Sequence, residues 1–360
     1  MNRSLNTLGS ENKTGYELRV AGYGLLRLTR NAQHATRKNM SIEVNKVTLK
    51  ELKKLATTKP EGLASGHRLC PGCAAGAIFR QVFAAAEDPI VAVVATGCFE
   101  VSTTIYPYTS WKIPYIHNAF ENAAATLSGV ETMYNSLKKR GKLPVDETVK
   151  FLAIGGDGGT YDIGLQSLSG AIERRHNFLY ICYNNGAYMN TGIQRSSATP
   201  YGAHATTSPS GKVIPGKMQF PKDLTEIMIA HEPAYVAQAS PSHWQDLMTK
   251  VRKGLAVEGP AFINVIASCN RGWRVPSEKS MEVNRLAVES CFWPLFEHED
   301  GEYKLTYKPK TKLPVDEWMK LQGRFAHLYK GENPRPDIVE KIQTYVDMKW
   351  DKLLKRCDEA

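Results

Sequence analysis

Apolar positions along this chain switch repeatedly between two periods. PIVAVVAT at 89–96 is an unbroken, β-branched run, the pattern of a strand covered on both faces. Ahead of it, AAGAIFRQVFAAAED spaces its apolar residues as a helix does. The alternation then repeats. FENAAATLSGVETMYNSLKKR (120–140) predicts a helix, VKFLAIGG (149–156) a strand, IGLQSLSGAIERR (163–175) a helix and NFLYICY (177–183) a strand. Further on, YVAQA (235–239) and AFINVIAS (261–268) predict strands flanking a helix over 241–257. Strands alternating with helices imply an α/β fold with a doubly wound, mostly parallel sheet. Between Tyr183 and Phe220 the pattern dissolves into Gly, Ser, Thr and Pro just past a strand end, and so long a loop inside a domain is usually functional. PVDEWMKLQGRFAHLY and PDIVEKIQTYVDMKWDKLLKR predict a C-terminal helical appendage over 276–360, following a main domain at 40–275. No internal repeat is visible.

Composition narrows the class. A chain of 360 residues with 42% hydrophobic content can bury a large core. No apolar run approaches the roughly 20 residues that cross a bilayer, and the chain does not open like a secretory signal, so no membrane role is expected and the cytosol is the default compartment. The formal charge of +10 raises the question of nucleic acid, but residues 1–39 hold seven Lys/Arg against two Glu, so half the excess sits in that stretch. It reads as a disordered leader ahead of a natural start at Met40, with an Arg-rich transit peptide or a partner-binding arm as the other readings. The remaining excess is spread over mixed-sign segments such as KVTLKELKKL, which are solvated helix faces. No basic stripe interleaved with aromatics points to nucleic acid.

Chemistry enters at the strand ends. IGGDGG places Gly156, Asp157 and Gly158 at the carboxyl end of the strand 149–156. Glycine there lets backbone approach a phosphate, and a lone aspartate is a hard oxygen ligand suited to Mg²⁺. Gly-Asp-Gly also makes ordinary turns. What sharpens it is Asn184-Asn185 at the end of the next strand, with Asn185 standing 28 positions after Asp157. Strand, crossover helix and parallel strand bring both ends to one edge of the sheet, where open α/β folds bind ligands. Asp157 and Asn185 can then grip one cation. A second signal is HRLCPGCAAG (67–76), with Pro71 and Gly72 between Cys70 and Cys73. A disulfide, a metal or a redox-active dithiol would each use such a pair. In a reducing cytosol the seven cysteines do not suit a disulfide framework, which leaves metal ligation and redox chemistry.

Gly-Asp-Gly followed by Asn-Asn resembles the thiamine diphosphate (TPP) binding motif. Three runs narrow the likeness: GCFEVSTTIYPYTSWKIPYIHNAFENAAATLSG (97–129), GDGGTYDIGLQSLSGAIER (156–174) and AYMNTGIQRSSATPYGAHATTSPSG (187–211). They resemble the β subunit of the pyruvate:ferredoxin oxidoreductase (pyruvate synthase) family and its 2-oxoacid relatives, over roughly residues 60–275. The resemblance implies a sheet of the TPP-binding type in which Asp157, Asn185 and the Ala187 carbonyl coordinate Mg²⁺ under the cofactor's diphosphate, beside Gly156 and Gly158. It implies that Asn190 points at the substrate's carbonyl or carboxylate. It also implies a [4Fe-4S] cluster on Cys70, Cys73, Cys98 and Cys269, and the residues agree, since Cys98 and Cys269 follow strands 89–96 and 261–268 at the same sheet edge. The activity implied is oxidative decarboxylation of a 2-oxoacid, pyruvate foremost, to acyl-CoA and CO₂ with reversible reduction of ferredoxin. An α subunit would complete the site, and γ and δ ferredoxin-like subunits would join it. One departure stands out: the family commonly reads Asp-Asn-Glu-Ala-Tyr where this chain has Asn184-Asn185-Gly186-Ala187-Tyr188.

Other readings stand beside this one. A non-oxidative TPP-dependent decarboxylase or synthase would share Asp157 and Asn185 but needs no four cysteines. A zinc-containing nucleic-acid-binding protein would use Cys-x-x-Cys and leave Gly-Asp-Gly unexplained. Thr103 and Thr104 suit cofactor or substrate contacts, with an ordinary Ser/Thr turn as the alternative. His117 suits acid–base work or packing, and His67 lies near Cys70. Cys182, inside an apolar strand, reads as packing. Cys291 and Cys357 carry no assignment.

Overall fold

A computed structural model describes residues 44–144, 146, 148–211, 213–330 and 334–358. The leader expected over 1–39 lies outside the described residues. The chain opens with α1 (Leu49–Thr58), whose first turn is capped by Thr48 accepting the Glu51 N–H at 3.2 Å. Then follow α2 (Ala74–Ala85), β1 (Ile90–Ala95), α3 (Cys98–Thr103), β2 (Tyr115–Asn118), α4 (Ala123–Lys139), β3 (Lys150–Gly156), α5 (Leu165–Glu173) and β4 (Leu179–Asn184). After the long loop come α6 (Leu224–Ile229), β5 (Tyr235–Ala239), α7 (Trp244–Ala256) and β6 (Ala261–Ile266). The last stretch holds α8 (Ser280–Glu289), β7 (Leu295–Glu299), β8 (Glu302–Tyr307), α9 (Val315–Lys320) and α10 (Pro336–Asp358).

The strands form an eight-stranded sheet ordered β2-β1-β3-β4-β6-β5-β7-β8, parallel from β2 through β5. Strand β1 shows why helices cover both faces. Ala92 and Val94 point into a core with Ile78 and Phe79 of α2 and Val251 of α7, whereas Val93 and Ala95 join Leu127 of α4 and Leu168 of α5. Each such aliphatic side chain, fully buried, contributes about 1.5–3 kcal/mol relative to exposure.

The C-terminal stretch is helical as expected and, in addition, extends the sheet. β7 runs antiparallel to β5, and β8 antiparallel to β7. The turn between them is Asp300-Gly301, with φ of 54° and 87°, the dipeptide that favours a tight hairpin. A third core gathers Trp273, Val283, Leu295, Trp318, Phe325 and Val346, so apolar contact runs continuously across residue 275.

Two features position the site. Register pairs Val94 with Ile154, Gly156 with Tyr183 and Asn184 with Ile266, which levels the carboxyl ends of β1, β3, β4 and β6. The chain leaves β1 toward β2 on one side and β3 toward β4 on the other, opening a crevice between those ends. Beyond β3 the expected helix at 163–175 is preceded by a π-helical turn, Gly158–Ile163, in which Gly164 N–H reaches Gly159 O at 2.9 Å. Such turns recur at functional sites. Among the described residues no helix is long and apolar enough to cross a membrane.

Candidate functional site

The crevice holds a small cleft. Thr96, Gly97 and Cys98 line it after β1, Gly156, Asp157 and Gly158 after β3, and Asn185, Ala187 and Asn190 after β4. Asp157 is fully buried. Its Oδ1 accepts the Asn185 backbone N–H at 3.1 Å, and its Oδ2 accepts the Ser196 hydroxyl. Burial pushes the carboxyl up to about 7, against these two donors, which favour the ionised form. A cation set against it would restore the charge.

The Asn185 amide completes the arrangement. One of its terminal atoms lies 2.8 Å from Ala187 O and 2.9 Å from Asp157 Oδ1. With nitrogen in that place the amide donates to both. With oxygen there, three oxygens converge with no donor among them, which is the donor set a hard divalent cation requires. The residues therefore fit Mg²⁺.

Glycine is needed on either side of this point. A Cβ on Gly158 would lie 2.3 Å from the Tyr188 ring, whose hydroxyl donates to Gly158 O at 2.9 Å. Gly186 has φ +76°, a left-handed conformation costly to other residues. The indole Nε1 of Trp273 donates to Asn185 O at 2.6 Å, fixing the turn from behind.

The cysteines lie at the same edge. The Cys70–Cys73 turn closes with Cys73 N–H donating to Cys70 O at 2.9 Å, and it is tied to the segment after β6 by Ala74 N–H to Ser268 O (3.2 Å) and Ser277 hydroxyl to Pro71 O (3.0 Å). In that segment Gly272 N–H donates to Cys269 Sγ at 3.3 Å. Burial first, and neighbouring Cys269 and Cys70 after it, push the Cys73 thiol up to about 11 and Cys98 to about 12. Cys269 is raised as well, first by burial and also by Cys70. These four thiols thus share one field, although among the described residues no three His, Cys, Asp or Glu side chains close to ligating distance.

Thr103 is not brought to the cleft. Its side chain is 1% exposed, donating to Phe99 O at 2.7 Å and accepting Trp111 Nε1 at 2.9 Å, so its hydroxyl serves the α3 turn and a contact with diphosphate is closed to it. Thr104 bonds Glu100, and His117 on the edge strand β2 faces the same carboxylate at 3.4 Å. His67 Nδ1 is buried and unpartnered among the described residues. Cys182 is fully buried inside β4, and Cys291 in the C-terminal core. Sequence reasoning missed Ser196, Tyr188 and Trp273, which act on Asp157, Gly158 and Asn185 from distant positions. Only their place in or after the long loops hinted at them.

Residues 95–265 match the family described as thiamine pyrophosphate enzyme, C-terminal TPP binding domain. The chain is 52% identical to pyruvate synthase subunit PorB of Thermotoga maritima over 312 residues, covering 86% of this chain and 96% of that one. PorB of Methanocaldococcus jannaschii is 51% identical, over 81% of this chain and 96% of its own. Ketoisovalerate oxidoreductase subunit VorB of Pyrococcus horikoshii is 40% identical, over 84% and 96%. With identity of this order across nearly the full length of these relatives, and the Asp157–Asn185 edge inside the matched domain, the chain belongs to the pyruvate synthase PorB subunit family.

Proposed function

We propose that this chain is the TPP-binding β subunit of a cytoplasmic 2-oxoacid:ferredoxin oxidoreductase acting on pyruvate, in which pyruvate and CoA become acetyl-CoA and CO₂ as ferredoxin is reduced, reversibly. The observation that carries this is the approach of the Asn185 amide to both Ala187 O and Asp157 Oδ1, in a chain about half identical to PorB proteins. Greater identity to PorB than to VorB supports pyruvate over a branched 2-oxoacid.

Asp157, Asn185 and Ala187 O would hold Mg²⁺, and Gly156 and Gly158 leave room for a diphosphate. When bound, TPP supplies the electron sink for losing CO₂ from a 2-oxoacid. Ser196 and the Asn185 N–H keep Asp157 aimed. Asn190, lining the same cleft, would orient the substrate's carboxylate or carbonyl. Cys70, Cys73, Cys98 and Cys269 would hold a [4Fe-4S] cluster, which supplies a one-electron acceptor. Since burial holds Cys73, Cys98 and Cys269 protonated, loading the cluster releases protons. The relatives are named as subunits, which supports completion by an α subunit; γ and δ ferredoxin-like subunits would carry electrons on to ferredoxin.

The test is turnover by the assembled complex, purified without oxygen, on pyruvate, 2-oxoisovalerate and 2-oxoglutarate with CoA and ferredoxin. Pyruvate should lead in kcat/KM by about tenfold or more. A different leading 2-oxoacid would overturn the substrate assignment, and turnover of none would overturn the activity.

A further inference from the structure

The turn after β4 alternates between two spaces. Asn185 and Ala187 line the cofactor cleft, while Asn184 and Gly186 line a second cavity of about 120 Å³, and no residue lines both. Its walls are Gln238 of β5 and Ile266 of β6, the Pro221–Glu226 stretch, and Val346 and Leu353 of α10.

Arg324 stands at this cavity, 2% exposed. Its guanidinium carbon lies 4.1 Å from the centre of the Trp273 ring, and its Nε donates to Gln322 Oε1 at 2.8 Å. Among the described residues its Nη groups have no hydrogen-bond acceptor, and no Asp or Glu lies within ion-pair distance. Burial pulls its pKa down to about 9 against the more distant Cys269 and Asp157, whose charges raise it, and this leaves it charged at neutral pH. An unpaired buried guanidinium is costly unless something supplies the counter-charge.

Three further observations point to that something. Trp318 lines the same cavity, and its indole Nε1 is buried without an acceptor. A Cβ on Gly186 would stand 3.0 Å from Arg324 Nη1, so glycine lets the guanidinium sit against this turn. At the α10 side Lys349 is matched with Asp223 and Arg356 with Glu226, so among the described residues the unpaired cations lining the cavity are buried Arg324 and exposed Lys352. The wall facing it is aromatic, with Phe292, Trp293 and Phe296.

We propose that this cavity binds a small organic carboxylate with a flat apolar body, the carboxylate forked onto Arg324 and the body against Trp293 and Phe292, at a site separate from the cofactor cleft. One buried cation without an ion pair suits a monoanion, and a planar guanidinium matches a carboxylate bidentately. A phosphate dianion would need a second buried cation, and Lys352 is exposed. The cavity shares no lining residue with the cofactor cleft, and the Asp157 charge reaches Arg324 from there.

Because Trp273, Trp293 and Trp318 line the cavity, intrinsic fluorescence of the full-length chain reports occupancy. The probes are phenylacetate, phenyl phosphate and phenylacetamide. Phenylacetate should quench saturably and bind about tenfold or more tighter than either other probe, since a charge-assisted hydrogen bond is lost with the amide. Arg324→Gln should lower phenylacetate affinity by about tenfold or more and leave the amide unchanged. Should that variant fail to fold, Val346→Phe, which fills the cavity from α10, must abolish binding of all three. Saturating Mg²⁺ and TPP should not weaken phenylacetate binding. Absence of saturable quenching, equal affinity for the amide, tighter phenyl phosphate binding, competition by TPP, or unchanged binding in either variant would each overturn the proposal.

Discussion

Asn185 donates its backbone N–H to Asp157 Oδ1 at 3.1 Å, joining the carboxyl ends of β4 and β3 across 28 positions. The Asn185 amide is thereby held between Asp157 Oδ1 and Ala187 O. Asp157→Ala removes the only charged member of that set. Mg²⁺-dependent TPP binding should weaken by more than the roughly 10–100-fold typical of losing an outer partner. Thermal stability should fall by about 1–3 kcal/mol, because the buried Asn185 N–H and Ser196 hydroxyl lose their acceptor, while burial of the carboxylate offsets part of the loss. Calorimetric titration with TPP checks this, and unchanged affinity would refute the site.

Ser196 hydrogen-bonds Asp157 Oδ2 without being one of the three converging oxygens. Ser196→Ala should therefore leave binding measurable but weaker by about 10–100-fold in apparent Mg²⁺ affinity. A loss as complete as that of Asp157→Ala would make Ser196 a direct ligand instead.

Gly158→Ala drives a methyl into the Tyr188 ring, 2.3 Å away. Overpacking of this kind costs about 1–3 kcal/mol, measurable by denaturant unfolding. Adding Tyr188→Ala should recover part of that loss, giving a coupling of about 0.5 kcal/mol or more. Strictly additive losses would show that the glycine serves something other than this contact.

The parallel part of the sheet was legible because its strands are covered on both faces, and continuous apolar runs at 89–96, 149–156 and 261–268 record that. Edge strands leave no such record. Tyr115–Asn118 alternates only partial burial with exposure, and Glu302–Tyr307 is largely polar, so the β7–β8 hairpin was announced only by Asp300-Gly301. In the site, Asp157 and Asn185 were readable because each directly follows a predicted strand. Thr103 misled because a hydroxyl near a strand end looks alike in sequence whether it faces a ligand or, as here, Phe99 O and Trp111. Ser196 and Arg324 depend on how the 184–223 loop and the C-terminal segment fold back, which no local period encodes.

Glu297 ties the antiparallel edge to the body. Its Oε1 lies 2.8 Å from Lys253 Nζ, and its Oε2 accepts the Tyr235 hydroxyl at 2.8 Å. Burial favours the neutral carboxyl, but Lys253 and Tyr235 outweigh it and hold the pKa below the usual carboxylate value. A carboxyl lowered on folding stabilises the protein above its unfolded pKa and loses that contribution as pH falls through its folded one. Glu297→Gln should cost about 1.5–3 kcal/mol at neutral pH and flatten the loss of stability on acidification below about pH 4. Melting curves across pH read both, and an unchanged acid slope would remove Glu297 from the cause.

Release of CO₂ and delivery of electrons are assigned to different parts of this chain, the Asp157 edge and the four cysteines. Cys98→Ser in the assembled, anaerobically purified complex separates them, since an alkoxide is a poorer iron ligand than a thiolate. The measurement compares carboxyl exchange between CO₂ and pyruvate with the rate of ferredoxin reduction in the same preparation. Exchange should persist in part while ferredoxin reduction falls by about a hundredfold or more and the iron–sulfur absorption fades. Ferredoxin reduced at the parental rate would contradict this and return Cys70, Cys73, Cys98 and Cys269 to a structural role.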